Sequence, residues 1–349
     1  MKVSSHPRAE NPPAAQAWKA QIISLFPGLI LTAGIAGIAL LLGRAIGLES
    51  LNPLLIAVLM GICWRQVAGS LTLTQPGVKF TMKRILRLAV ILLGLRLSLA
   101  EVMAIGPKGL IIVSASTVST FYFTCWLGRQ LQVGRRLAQL IAAGTSICGA
   151  SAVVATNAVV DGSEEDMAYA ISTITGFGTV AMLTYPVISN LLALTPAAFG
   201  LWSGASVHEV AQVIATAFQA GPVSGEIATV TKLSRVLLII PIMLSLGWQS
   251  RPSLNSHDET KSLPIPWFVV LFGLLTVINS FGIVPETIRA SMLQLNQLLL
   301  CMALAAMGLE TNLNQLLKLG RKPLYLAGIS WLFLAGVSLS LISMLYPSL

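Results

Sequence analysis

Four basic side chains lie inside apolar runs: Arg87 and Arg96 in 85–99, Lys232 and Arg235 in 230–247. A charge at the centre of a bilayer costs a few kcal/mol, so such groups face a cavity, a partner or an ion path. Held there, an ammonium or guanidinium can offset the charge of a small anion. Lys232 and Arg235 are three residues apart and share one helix face. Arg235 is expected about 10 Å from the nearer helix end, at ~1.5 Å of rise per residue. That is deep for a side chain to reach water by stretching, whereas Lys232 and Arg87 could do so. Arg96 sits near the opposite end of its run, with Glu310 as an expected partner.

A second set of candidates lies in two matching segments. Residues 144–156 (Gly144-Thr-Ser146-Ile-Cys148-Gly149) run parallel to 204–216 (Gly204-Ala-Ser206-Val-His208-Glu209). Glycine lets a backbone break and approach a ligand closely. Serine can cap a new helix start, whose free N–H groups and positive dipole end attract anions. Ser146, Cys148, Gly149 and Ser206 are therefore expected around an anion between two broken helices, with Lys232, Arg235 and Arg96 offsetting its charge. Close helix packing by small residues is the competing reading. His208 and Glu209 are the titratable groups inside the motifs, expected to couple or gate protons. His208 also shares a helical spacing with Gln212 and could equally be a structural histidine. Glu209, a carboxylate that must pair or be protonated, is expected to pair with Arg235 or Lys232.

Other chemistries find little support. There is no HExxH, P-loop, nucleotide fingerprint or ordered Ser/His/Asp set, so no enzyme activity is expected. With three histidines (His6, His208 and His257), neither a histidine-rich metal site nor a cofactor is expected. Cys63, Cys125, Cys148 and Cys301 have no metal or disulfide spacing and read as small buried hydrophobes.

The elements that carry these residues must lie in a membrane. The 349 residues are 55% hydrophobic and 10% charged, against about 25% charged in soluble proteins. A net charge of +9 is scattered through short loops, which argues against nucleic-acid binding. Eleven apolar runs are expected as helices, near 26–47, 51–64, 85–100, 107–128, 137–160, 167–194, 198–220, 228–247, 265–283, 290–309 and 324–346. The sixth holds Gly176, Gly178 and Pro186, and a kink or break is expected there. A polar tail (1–25) precedes a single membrane domain (26–349). Of 22 basic residues, fifteen fall in alternate segments on the N-terminal side and three on the other, which places the N-terminus in the cytoplasm. A further match, 94–116 against 308–330 with seven identities, lies seven runs apart. It suggests inverted repeats, a signature of secondary transporters.

Through Gly144-Thr-Ser-Ile-Cys-Gly-Ala-Ser151, Ser206-Val-His-Glu-Val-Ala-Gln-Val213, Lys232-Leu-Ser-Arg-Val236 and Gly94-Leu-Arg-Leu97, the chain resembles the YeiH-type sulfate exporter family of bacterial inner-membrane proteins. The resemblance extends from about Phe26 to the C-terminus. The family often has Asp where this chain has Glu209, so the carboxylate is kept. The resemblance implies a multi-span carrier related in architecture to inverted-repeat cation–proton antiporters and bile-acid transporters. It also implies a small inorganic oxyanion or a sulfonate as substrate. The resulting expectation is an all-α integral membrane carrier that exports a small anion by alternating access, with proton coupling. A passive anion channel and a non-transporting accessory subunit stay open, as does a homo-oligomer.

Overall fold

The computed structural model describes residues 14–45, 53–69, 72–104, 106–249, 267–311 and 321–346. The helices are α1 (Ala14–Ala45), α2 (Pro53–Ala68), α3 (Gln75–Phe80), α4 (Leu86–Leu93), α5 (Leu99–Ala104), α6 (Gly106–Gln130), α7 (Arg135–Ser146), α8 (Ala150–Val160), α9 (Glu164–Leu191), α10 (Pro196–Ser206), α11 (Val210–Ala217), α12 (Pro222–Leu237), α13 (Ile239–Gln249), α14 (Trp267–Ser280), α15 (Glu286–Glu310) and α16 (Arg321–Leu345). Among the described residues, helix occupies part of every one of the eleven apolar runs. Among the described residues, five helical stretches are long and apolar enough to cross a membrane: Ile23–Gly43, Gly106–Gln130, Glu164–Leu191, Glu286–Glu310 and Arg321–Leu345. Large apolar side chains such as Ile30, Leu110 and Leu332 point outward from them, as lipid-facing residues must.

Local sequence explains most boundaries. Ser163 caps α9 in a reciprocal box with Asp166, so the acidic run Asp161–Asp166 serves as a helix start, where negative charge meets the positive dipole end. Thr195 caps α10 with Pro196 in its first turn. Pro241 has no N–H to give the Leu237 carbonyl, and the eighth run accordingly divides there into α12 and α13. A π-helical turn, Thr81–Ile85, joins α3 to α4.

Two expectations are corrected. Helix α1 begins at Ala14, so part of the expected tail is helix continuous with the first span. The sixth run is a single unbroken helix, α9, with Pro186 inside it. Its packing among other helices makes tolerable the carbonyl that proline leaves unpaired. Residues 1–13 and 312–320, the latter holding part of the 94–116/308–330 match, lie outside the described residues.

The helices pack in two groups. In one, α1, α2, α3 and α4 pack against α15, and α14 packs against α4. Gly61 of α2 faces Gly308 of α15 so closely that a Cβ on Gly61 would stand 3.0 Å from the Gly308 Cα. Only glycine permits that approach. The other group holds α6 to α13 and α16. The groups meet where α11 packs against α15 and α2, which brings the second motif to the seam between them.

Candidate functional site

Both motifs are broken helices. Helix α7 ends at Ser146, residues 147–149 form a turn, and α8 starts at Ala150. Helix α10 ends at Ser206, residues 207–209 are non-helical, and α11 starts at Val210. Each break exposes the negative carbonyl end of one half-helix and the positive N–H end of the next. Neither set can be left unpaired at membrane depth.

The carbonyl ends belong to the cations. Arg235 donates through Nε to the Ser146 carbonyl and through Nη2 to the Thr145 carbonyl. Its Nη1 donates to the carbonyls of Ala205 at 2.8 Å and Val207 at 3.2 Å. Lys232 Nζ donates to the carbonyls of Ile147 at 2.9 Å and Val207 at 2.8 Å. Both side chains are fully buried. Helix α12 thus sends two charges, three residues apart, to neutralise the ends of α7 and α10 together.

The N–H ends belong to Glu209. It is the N-cap residue of α11, where Gln212 Oε1 accepts the Glu209 N–H at 3.1 Å in a capping-box arrangement. Its carboxylate accepts from the Thr175 hydroxyl of α9 at 3.0 Å and stands against the Gly149 turn that precedes α8. Gln212 Nε2 in turn donates to the Thr175 carbonyl at 3.0 Å. Gly149 makes room for this arrangement. Its φ is +79°, and a Cβ there would stand 2.5 Å from Glu209 Cγ. Glu209 and Thr175 are half-buried and Ser151 is exposed, so the accessible side of the crossing is the carboxylate side.

Several expected roles change. Ser146 and Ser206 end helices instead of starting them, and each hydroxyl bonds back to a carbonyl four residues earlier, Ala142 and Trp202, at 2.6 Å. They do not cap the N–H ends. Glu209 forms no ion pair with Lys232 or Arg235 among the described residues, because carboxylate and cations serve opposite poles of the breaks. His208 precedes α11, so it does not share a helix face with Gln212. It is buried, and its Nδ1 has no hydrogen-bond partner among the described residues. Cys148 is buried with Sγ 3.0 Å from Ser151 Oγ.

Two arginines stand apart from the crossing. Arg96 pairs with Glu226 of α12 at 2.6 Å and lies 5.5 Å from the centre of the Phe218 ring, not with Glu310. That pair ties the end of α4, in one helix group, to the other group. Arg87 is exposed with its guanidinium 6.0 Å from the Phe268 ring centre.

Thr175 and Tyr185, both on α9, escaped the sequence reading. Tyr185 stacks on Trp202 with ring centres 3.9 Å apart, and its hydroxyl accepts from Trp331 Nε1 at 3.2 Å. The run Thr173–Thr179, with three threonines and two glycines in seven residues, was the available signal of a polar face on that span.

Residues 27–327 match the family described as "Conserved hypothetical protein 698". The chain is 37% identical to the UPF0324 membrane protein PA5383 of Pseudomonas aeruginosa, over 91% of this chain and 94% of that protein. It is 35% identical to the UPF0324 inner membrane protein YeiH of Escherichia coli K12, over 89% and 92%. The YeiH protein of Salmonella typhimurium is 34% identical over 90% and 93%. No solved structure matches. With relatives of this identity along nearly the whole chain, the protein belongs to the UPF0324 family of membrane proteins.

Proposed function

We propose that the protein is a secondary carrier that moves a small anion by alternating access in company with a proton. One observation carries the reading: the half-buried carboxylate of Glu209 stands at the positive ends of α8 and α11, while the negative ends of α7 and α10 are already neutralised by Lys232 and Arg235. Ionised Glu209 occupies the place an anion would take. Once protonated, it surrenders that charge, and the N–H ends of α8 and α11 can hold an anion instead. Proton and anion binding then favour each other, which is the thermodynamic content of coupled transport.

The two helix groups supply the moving parts. Broken helices at a seam between bundles suit carriers that rock one bundle against another. The Arg96–Glu226 pair closes one side of that seam and opens when the site faces the other way. A dianion carried with one proton keeps a net negative charge. An inside-negative potential drives it outward, by about 2.3 kcal/mol per charge per 100 mV. Sulfate fits this reading, whereas a sulfonate, being a monoanion, would move with one proton without net charge; the N-terminus is placed in the cytoplasm by loop-charge bias.

The test is flux of sulfate, chloride and methanesulfonate into proteoliposomes at a series of loading-side pH values. Saturable flux that rises as loading-side pH falls is expected for one of them, with the pH dependence flattened in Glu209→Gln. An unchanged pH profile in that variant overturns the role of Glu209. Flux that neither saturates nor responds to pH makes the protein a passive channel, and absence of flux for all three favours an accessory role.

A further inference from the structure

A cavity of about 350 Å³ opens where α6 turns into α7, with α13 alongside. It is separate from the helix crossing. Arg129, in the last turn of α6, and Arg135, the first residue of α7, line it together with Phe121, Tyr122, Cys125 and Leu246. Among the described residues no carboxylate lines it. Among the described residues neither arginine has an ion-pair partner, and the adjacent Arg136 has already taken Asp161 at 3.9 Å. Two unneutralised guanidiniums therefore converge on one apolar-walled space.

The depth of the cavity narrows its ligand. Helix α6 has 25 residues, roughly 37 Å at ~1.5 Å per residue. The hydrocarbon core is about 30 Å thick. The last turn of α6 thus reaches the headgroup layer. Tyr122 is exposed on the same helix, as aromatic side chains at a membrane–water boundary are. Guanidiniums match phosphate oxygens in bidentate geometry. Phe121 and Leu246 offer the neighbouring surface to glycerol and acyl carbons. A free anion would have no use for that surface.

We propose that Arg129 and Arg135 hold the phosphate of an anionic phospholipid in this cavity. The lipid is then a resident ligand of the α6–α7 corner, independent of whatever crosses at Glu209. Basic pockets between membrane helices bind lipid headgroups by this chemistry.

The test uses the purified full-length protein in detergent. Alkylation of Cys125, which lines the cavity, is followed at peptide level while dioleoyl phosphatidylglycerol, dioleoyl phosphatidylcholine or inorganic phosphate is added. Native mass spectrometry counts retained lipid in parallel. Phosphatidylglycerol is expected to slow Cys125 alkylation several-fold, with phosphatidylcholine and phosphate having little effect. Arg129→Gln/Arg135→Gln is expected to lose protection and weaken phosphatidylglycerol retention by about tenfold, while still eluting as a single species. Equal protection by phosphatidylcholine overturns the role of the arginines, and equal protection by inorganic phosphate overturns the lipid. If the double variant does not fold, the lipid series on the natural chain decides alone.

Discussion

The two breaks are built from matching sequence, yet they do different work. Their carbonyl ends are near copies: Ser146 and Ser206 bond back four residues in the same way, and both ends share the cations of α12. Their N–H ends diverge. Gly149 and Glu209 occupy equivalent places in the two segments, 60 residues apart. One has no side chain and a positive φ, and the other has an extended backbone and a carboxylate. The side chain of the second fills the space left by the first. Two side chains cannot share that centre, so one break supplies the room and donors and the other supplies the charge. The carboxylate is confined to one of the two breaks for a steric reason.

The largest expected effect tests what the two breaks have in common. Arg235→Met leaves the carbonyls of Thr145, Ser146 and Ala205 without their charged donor, and a loss of about 3–5 kcal/mol is expected, as when one partner of a buried charge interaction is removed. Thermal unfolding of the purified protein reads it, with Arg235→Lys falling between. A variant that melts normally but no longer transports would return Arg235 to the substrate.

Next comes the point where the breaks differ. Gly149→Ala places a methyl group against Glu209 Cγ at a left-handed backbone position. A cost of about 1–3 kcal/mol is expected, together with loss of flux. Glu209→Ala removes the acceptor of Thr175 but leaves room for water at a half-buried position, and should unfold at a higher temperature than Gly149→Ala. The reverse order would show that the carboxylate, not the glycine, holds the crossing together.

The smallest effects concern the serines. Ser146→Ala and Ser206→Ala each remove a hydroxyl bonded within its own helix, and each should cost less than about 1 kcal/mol. Half-saturation for the transported anion should stay unchanged in both. A rise of about tenfold in Ser146→Ala would put that serine on the anion after all.

Much of the site was legible before any coordinates. The breaks after Ser146 and Ser206 follow from small residues clustered in apolar sequence, because only such residues let a membrane helix part. The burial of Lys232 and Arg235 follows from their place within an apolar run, since charge survives there only with partners. Partner identity was not legible. Arg96 finds Glu226 instead of Glu310, and Glu209 finds Thr175 and the Gly149 turn instead of a cation. Nothing in local sequence distinguishes these choices.

The sequence by itself determined an all-α membrane protein, the location of two helix breaks and which charges had to be held inside. These are consequences of composition and spacing, which act within one turn or one span of the chain. The tertiary structure alone decided which pole of each break each charge serves. Arg235 reaches carbonyls 90 and 89 residues away in one break and 30 and 28 in the other. Bonds over such separations depend on how α7, α10 and α12 pack. That packing decided that the buried cations close helix ends and that the accessible charge at the crossing is the carboxylate of Glu209.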